Sequence, residues 1–120
     1  MDNEVTNTEG ILESIKKMLG LLKEYTAFDS DIIIHINSVF SVLNQLGIGP
    51  KDGYKIEGYD ELWSDYIQDD TIIEDVKTYM YLKVRLLFDP PLNSSVLEST
   101  KQLISEFEFR LNITEKLEES

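Results

Sequence analysis

The sequence predicts an all-α fold, a small bundle of about four helices plus one short helix, with either a short β-hairpin or an extended loop near residues 50–59. Three observations predict it. Apolar residues recur at three- and four-residue steps along four segments. Polar residues suited to capping precede these segments, and glycine or proline follows three of them. The run with strand character, "YKIE" at 54–57, is brief. A chain of 120 residues has room for one domain around one modest core. The expected organisation is a flexible acidic tail over 1–7, a single helical domain over 8–113 and a flexible tail over 114–120.

The first helix starts at Ile11, with apolar positions at 11, 12, 15, 18, 19 and 22. Thr6 and Glu9 have capping-box spacing ahead of it, and Gly20 weakens or ends it. Asp29 and Ser30 are N-cap candidates for the second helix, with Asp31 well placed against the dipole. Ile32, Ile33, Ile36, Val39, Phe40, Leu43 and Leu46 form its broad apolar face, and "GIGP" at 47–50 terminates it. "DELWSDYI" at 60–67 reads as a short helix whose Trp63 anchors the core and, once buried, needs an acceptor for its indole N–H. The third long helix starts near Thr71, which has capping-box spacing to Glu74. Ile72, Ile73, Val76, Tyr79, Met80, Leu82, Val84, Leu86, Leu87 and Phe88 then occupy nearly every direction around it. A helix apolar all round must be surrounded, by its own domain or by a partner. It stops at "FDPP": Asp89 precedes a proline, and Pro90 and Pro91 lack the amides a helix needs. The last helix runs from Ser95, spaced to Glu98 as another capping box, to about Asn112. Leu97, Thr100, Ile104, Phe107 and Leu111 line its inner stripe. Phe109 lies about 200° from Phe107 and points away from it.

Charge and composition exclude several functions. With 23 acidic against 11 basic residues the net charge is -12, so the basic face that duplex DNA requires is missing. An acidic surface suits solubility alone, repulsion of DNA, or mimicry of it. The absence of cysteine removes disulfides, thiolate zinc sites and cysteine nucleophiles. The opening "MDNEVTNTEG" is the reverse of a secretory signal, and the apolar-rich run 76–88 is too short and too charged to span a bilayer. His35 is the single histidine and reads as a residue on the polar side or edge of the core. The acidic pairs Asp29/Asp31, Asp60/Glu61 and Asp69/Asp70 fall at helix starts, where the dipole accounts for them, and none has the spacing of a calcium loop. No phosphate loop or nucleophile elbow is present. The expectation is a protein with no catalytic residue, no metal and no cofactor.

Five segments, in order, resemble the head–tail connector (adaptor) proteins of siphophages and related prophages: "ILESIKKMLGL", "FDSDIIIHINSVFSVLNQLGIGP", "WSDYI", "VKTYMYLKVRLLFDPP" and "EFEFRLN". The resemblance spans roughly residues 9–113. It implies a small helical structural protein of the virion, assembled in the host cytoplasm. Such a protein forms a homo-oligomeric ring, commonly of about twelve subunits, beneath the portal. The ring extends the DNA channel and offers a platform to a stopper or tail protein, while genomic DNA passes without specific binding and no membrane is involved. On that reading Tyr79, Tyr81, Lys83, Arg85 and Phe88 lie at or near subunit contacts. Phe109, Tyr54 and Ile56 are candidates for touching portal or stopper. The alternatives are an acidic DNA-mimic inhibitor, weakened because the carboxylates gather at helix starts and tails, and a generic helical interaction domain.

Overall fold

The helix predicted from Ile11 ends at Met18 because Gly20 takes a left-handed turn, φ +85°. The computed structural model describes residues 8–119. In it α1 (Ile11–Met18) closes with a Schellman pair of bonds: Leu21 N–H donates to Lys16 O at 2.8 Å and Gly20 N–H to Lys17 O at 3.0 Å. The early stop changes which side chains are buried. Ile11, Leu12 and Ile15 face the core, whereas Met18 and Leu22 are exposed and Lys16 is buried. Thr6 lies outside the described residues. Gly10 is the N-cap and brings no side-chain bond; Glu61 O accepts from Ile11 N–H instead, at 3.0 Å.

α2 (Asp29–Gln45) begins where expected, but neither Asp29 nor Ser30 caps it. Phe28 is the N-cap residue, and the Asp29 carboxylate is drawn to Lys16. Ile32, Ile36, Val39, Phe40 and Leu43 are buried along its inner face. It ends on a second Schellman motif: with Gly47 at φ +88°, Ile48 N–H donates to Leu43 O at 2.9 Å and Gly47 N–H to Asn44 O at 3.0 Å.

Of the two forms expected for residues 50–59, the extended loop is the one observed; no hairpin forms among the described residues. The loop docks on the side chain of Asn37, whose Oδ1 accepts from Ile56 N–H at 2.8 Å while its Nδ2 donates to Ile56 O at 3.0 Å. One amide side chain thus supplies the two bonds a neighbouring strand would make. The sheet-like pairing observed is a single antiparallel bridge, Gly10 with Leu62. It leads into α3 (Trp63–Tyr66), shorter than the predicted 60–67.

α4 (Asp70–Phe88) is capped by Asp69, whose Oδ1 accepts from Thr71 N–H at 2.8 Å and from the Thr71 hydroxyl at 2.6 Å. Thr71 is therefore a donor to the cap and not the cap itself. α4 stops at Phe88, as the Asp-Pro-Pro run requires. α5 (Ser94–Glu119) is likewise capped two residues earlier than the Ser95/Glu98 box implied: Asn93 Oδ1 accepts from Ser95 N–H at 2.8 Å and from Val96 N–H at 3.1 Å. Ile104, Phe107 and Leu111 turn inward from it, and Phe109 turns out.

α4 is the centre of the bundle, packed by α1, α2 and α5, with α1 also against α2. Ile73, Val76, Tyr79, Met80 and Val84 are buried within the chain's own core, whereas Leu87 remains exposed. The surrounding predicted for this helix is thus supplied mostly by its own domain.

Gly49 shows how closely the loop is fitted. It sits at φ +93°, and a Cβ there would lie 2.5 Å from Tyr66 Cε1. Gly49→Ala is expected to lose about 2 kcal/mol from backbone strain and overpacking together. Gly20→Ala, at φ +85° with open space around it, should lose only the backbone share. Paired thermal melts check this; equal losses would mean that Tyr66 yields.

Candidate interaction surface

The most heavily bonded side chain is one the apolar pattern does not reveal. Lys16 is 1% exposed, and its ammonium has four acceptors: Lys23 O at 3.0 Å, Tyr25 O at 2.7 Å, Asp29 Oδ1 at 2.8 Å and Tyr59 OH at 2.7 Å. Three N–H bonds meet four acceptors, so at least one is shared. The Tyr59 hydroxyl in turn donates to Asp29 Oδ2 at 2.7 Å. Burial pulls the Lys16 pKa down, but the bonds to Asp29 and Tyr59 and the Asp29 charge outweigh it, leaving the pKa above the usual lysine value. Burial pushes Asp29 up; the Lys16 and Tyr59 bonds and the Lys16 charge prevail and hold it below the usual carboxylate range. Both groups are therefore charged at neutral pH. The cluster fixes the 19–28 loop between α1 and α2.

Two further polar contacts hold the bundle. The indole N–H of Trp63 donates to Ser14 Oγ at 2.8 Å, the acceptor the sequence required, and Ser14 in turn donates to Ile11 O at 3.1 Å. Tyr79 OH donates to Glu108 Oε2 at 2.7 Å, tying α4 to α5, with Lys83 Nζ 3.8 Å from the same oxygen. Burial first, and Glu108 second, raise the Tyr79 pKa far above its ordinary value.

The residues singled out from the sequence fall in several places. Tyr79 is inside the core. Tyr81, Lys83, Arg85 and Phe88 are half-buried along α4. Arg85 bonds Asp89 O at 2.6 Å and Tyr81 OH at 3.3 Å, and Phe88 stacks edge-to-face on Phe28 at 5.3 Å. Ile56 is buried, and Tyr54 packs on Phe40 and Tyr66 at 5.2 and 5.4 Å. Phe109 is 66% exposed on α5, beside a shallow cleft of about 370 Å³ lined with Ser105, Glu106 and Arg110. His35 is half-buried on α2.

Sequence reasoning missed Lys16, Asn37 and the exposed loop residues Leu22, Tyr25 and Phe28. A lysine flanked by Ile15 and followed by Gly20 within one turn is a usable signal, since the Schellman turn brings loop carbonyls back over that position.

Among the described residues no group of three or more His, Asp or Glu side chains is placed to hold a metal ion, and no helix is long and apolar enough to cross a membrane. Fold and site define a small all-helical bundle whose buried polar groups clamp loops and helices to one another. A family model described as phage connector protein matches residues 11–118, and the chain belongs to that family. No curated protein and no solved structure matches the chain.

Proposed function

We propose that the protein is a head–tail connector of a tailed phage, forming a ring beneath the portal, extending the DNA channel and receiving a stopper or tail protein. The observation that carries this reading is the family match over residues 11–118. Two features of the chain support it. A net charge of -12 suits a passage through which DNA slides, because a basic lining would hold the phosphates. The same charge sets free copies against one another, so the ring forms on the portal and the free chain stays monomeric. Tyr81, Lys83 and Arg85 along α4, with Phe109 on α5, are the proposed contacts to neighbouring subunits and portal.

Native mass spectrometry over a range of concentrations, with and without purified portal protein, tests this. The expected result is a monomer alone and a ring on portal. A chain that never joins portal refutes the reading. Arg85→Glu is expected to reduce ring assembly on portal with helical content unchanged by circular dichroism. Unchanged assembly removes Arg85 from the contacts and leaves the ring standing.

A further inference from the structure

We propose that the 50–59 loop is a latch on the 19–28 loop, and that the two open together as one unit joined through Tyr59. The loops differ in what holds them. Every side chain from Leu22 to Phe28 is exposed, so no buried apolar side chain fixes the 19–28 loop along that stretch. Phe28, which touches Phe88, is still 40% exposed. The backbone hangs instead on the Lys16 ammonium, through Lys23 O at 3.0 Å and Tyr25 O at 2.7 Å. The 50–59 loop has an anchor of its own: Ile56 is 1% exposed, and Asn37 on α2 engages both its N–H and its carbonyl.

Tyr59 connects the anchored loop to the unanchored one. Its hydroxyl accepts from Lys16 Nζ at 2.7 Å, donates to Asp29 Oδ2 at 2.7 Å and lies 3.2 Å from Lys23 O. Its ring centroid is 5.4 Å from Lys16 Nζ and 5.4 Å from Lys23 Nζ. With Tyr59 in place the ammonium is shut off from solvent, and shielded bonds to a charge are stronger than the same bonds in water. Lifting the latch lets water compete for Lys16 and so weakens its hold on Lys23 O and Tyr25 O.

Segments with few buried apolar contacts open locally at a free energy below that of global unfolding. A contact that displaces the 50–59 loop therefore loosens the 19–28 loop without touching it, and by linkage the converse holds. The latch is independent of the connector reading, and its test uses the free chain.

Amide hydrogen exchange followed by NMR, under conditions where closing outpaces exchange, tests the latch. The reporters are Tyr25 N–H, bonded to Leu22 O at 3.1 Å, and Ile56 N–H, bonded to Asn37 Oδ1 at 2.8 Å. In wild type both are expected to exchange faster than the buried amides of α4. Asn37→Asp keeps an acceptor for Ile56 N–H but sets a carboxylate against Ile56 O, and position 37 bonds nothing in the 19–28 loop. It is expected to speed exchange at both reporters roughly tenfold. Tyr59→Phe keeps the ring, removes the hydroxyl and is expected to speed both roughly fivefold. If Asn37→Asp does not fold, Asn37→Ala replaces it with the same expectation. Either reporter unmoved in either variant overturns the latch, because the loops then open separately. Wild-type reporters as protected as the α4 amides overturn it too, because the loops then open only with the whole bundle.

Discussion

Replacing Lys16 with methionine is expected to lower the unfolding free energy by about 3 kcal/mol, toward the lower end for a broken buried ion pair. Methionine fills a similar volume but takes the ammonium from Asp29 Oδ1 and from the carbonyls of Lys23 and Tyr25, leaving the Tyr59 hydroxyl as the remaining donor near Asp29 and Lys23 O. The Asp29 side chain keeps 17% of its surface in water, which holds the loss down. Urea unfolding followed by circular dichroism measures it, and a loss under about 0.5 kcal/mol would place Lys16 among ordinary surface residues.

The same cluster sets the pH limits. Asp29 has its pKa depressed on folding, so its contribution is present above the ordinary carboxylate value and lost as pH falls through the depressed one. Lys16 has its pKa raised, so its contribution is complete below the ordinary lysine value and lost as pH rises through the raised one. Tyr59, Tyr66 and Tyr79 are also raised, with burial the leading cause in each. Once unfolded, they ionise near pH 10 while the folded protein keeps them protonated, so stability falls above about pH 10. Tyr66 and Tyr79, whose shifts are large, each add about 1.4 kcal/mol per pH unit to that fall. Tyr66→Phe or Tyr79→Phe should make the alkaline limb shallower by one group.

Trp63→Ala is expected to cost more, about 4 kcal/mol. The indole is fully buried, packs near Phe40 at 6.4 Å between ring centroids, and offers its face to Lys77 Nζ at 5.9 Å. Its removal opens a cavity and takes away the donor that Ser14 Oγ receives. A domain of this size is stable by only about 5–15 kcal/mol, so the variant stands close to unfolding at 37 °C. Trp63→Phe, which keeps most of the ring but not the N–H, should lose about 1–2 kcal/mol. Urea midpoints for the two variants separate packing from the hydrogen bond; equal losses would assign the whole effect to the bond.

Trp63 and Lys16 show what the sequence could and could not reveal. A lone tryptophan in a short helix pattern announces both its burial and its need for an acceptor. The apolar face of α2 and the outward turn of Phe109 follow directly from the helical period. For Lys16 the nearby Gly20 was a local signal, but its partners were not legible, because residues 23, 25, 29 and 59 are gathered by two loops whose paths periodicity does not encode. The caps were misassigned by one or two residues, because Ser, Thr, Asp and Asn near a helix start compete for the same amides. Asp69 and Asn93 won over Thr71 and Ser95. The loop at 50–59 was ambiguous because the partner of Ile56 is a side chain on α2, which no strand pattern signals. The exposed apolar side chains were legible only in part: Phe109 stands out by its angle on α5, whereas Leu22 became surface because Gly20 ended α1.

α1 has eight residues, too few to hold a helix alone in water. Its N-terminal end is tied across the Gly10–Leu62 bridge, with Trp63 N–H donating to Glu9 O at 3.0 Å, and Tyr59 completes the clamp on Lys16. All these partners lie some fifty residues downstream. During synthesis, then, α1 can meet α2 and Asp29 early, but its N-terminal bridge and the Tyr59 bond to Lys16 must wait until the segment bearing Tyr59 and Trp63 has left the ribosome.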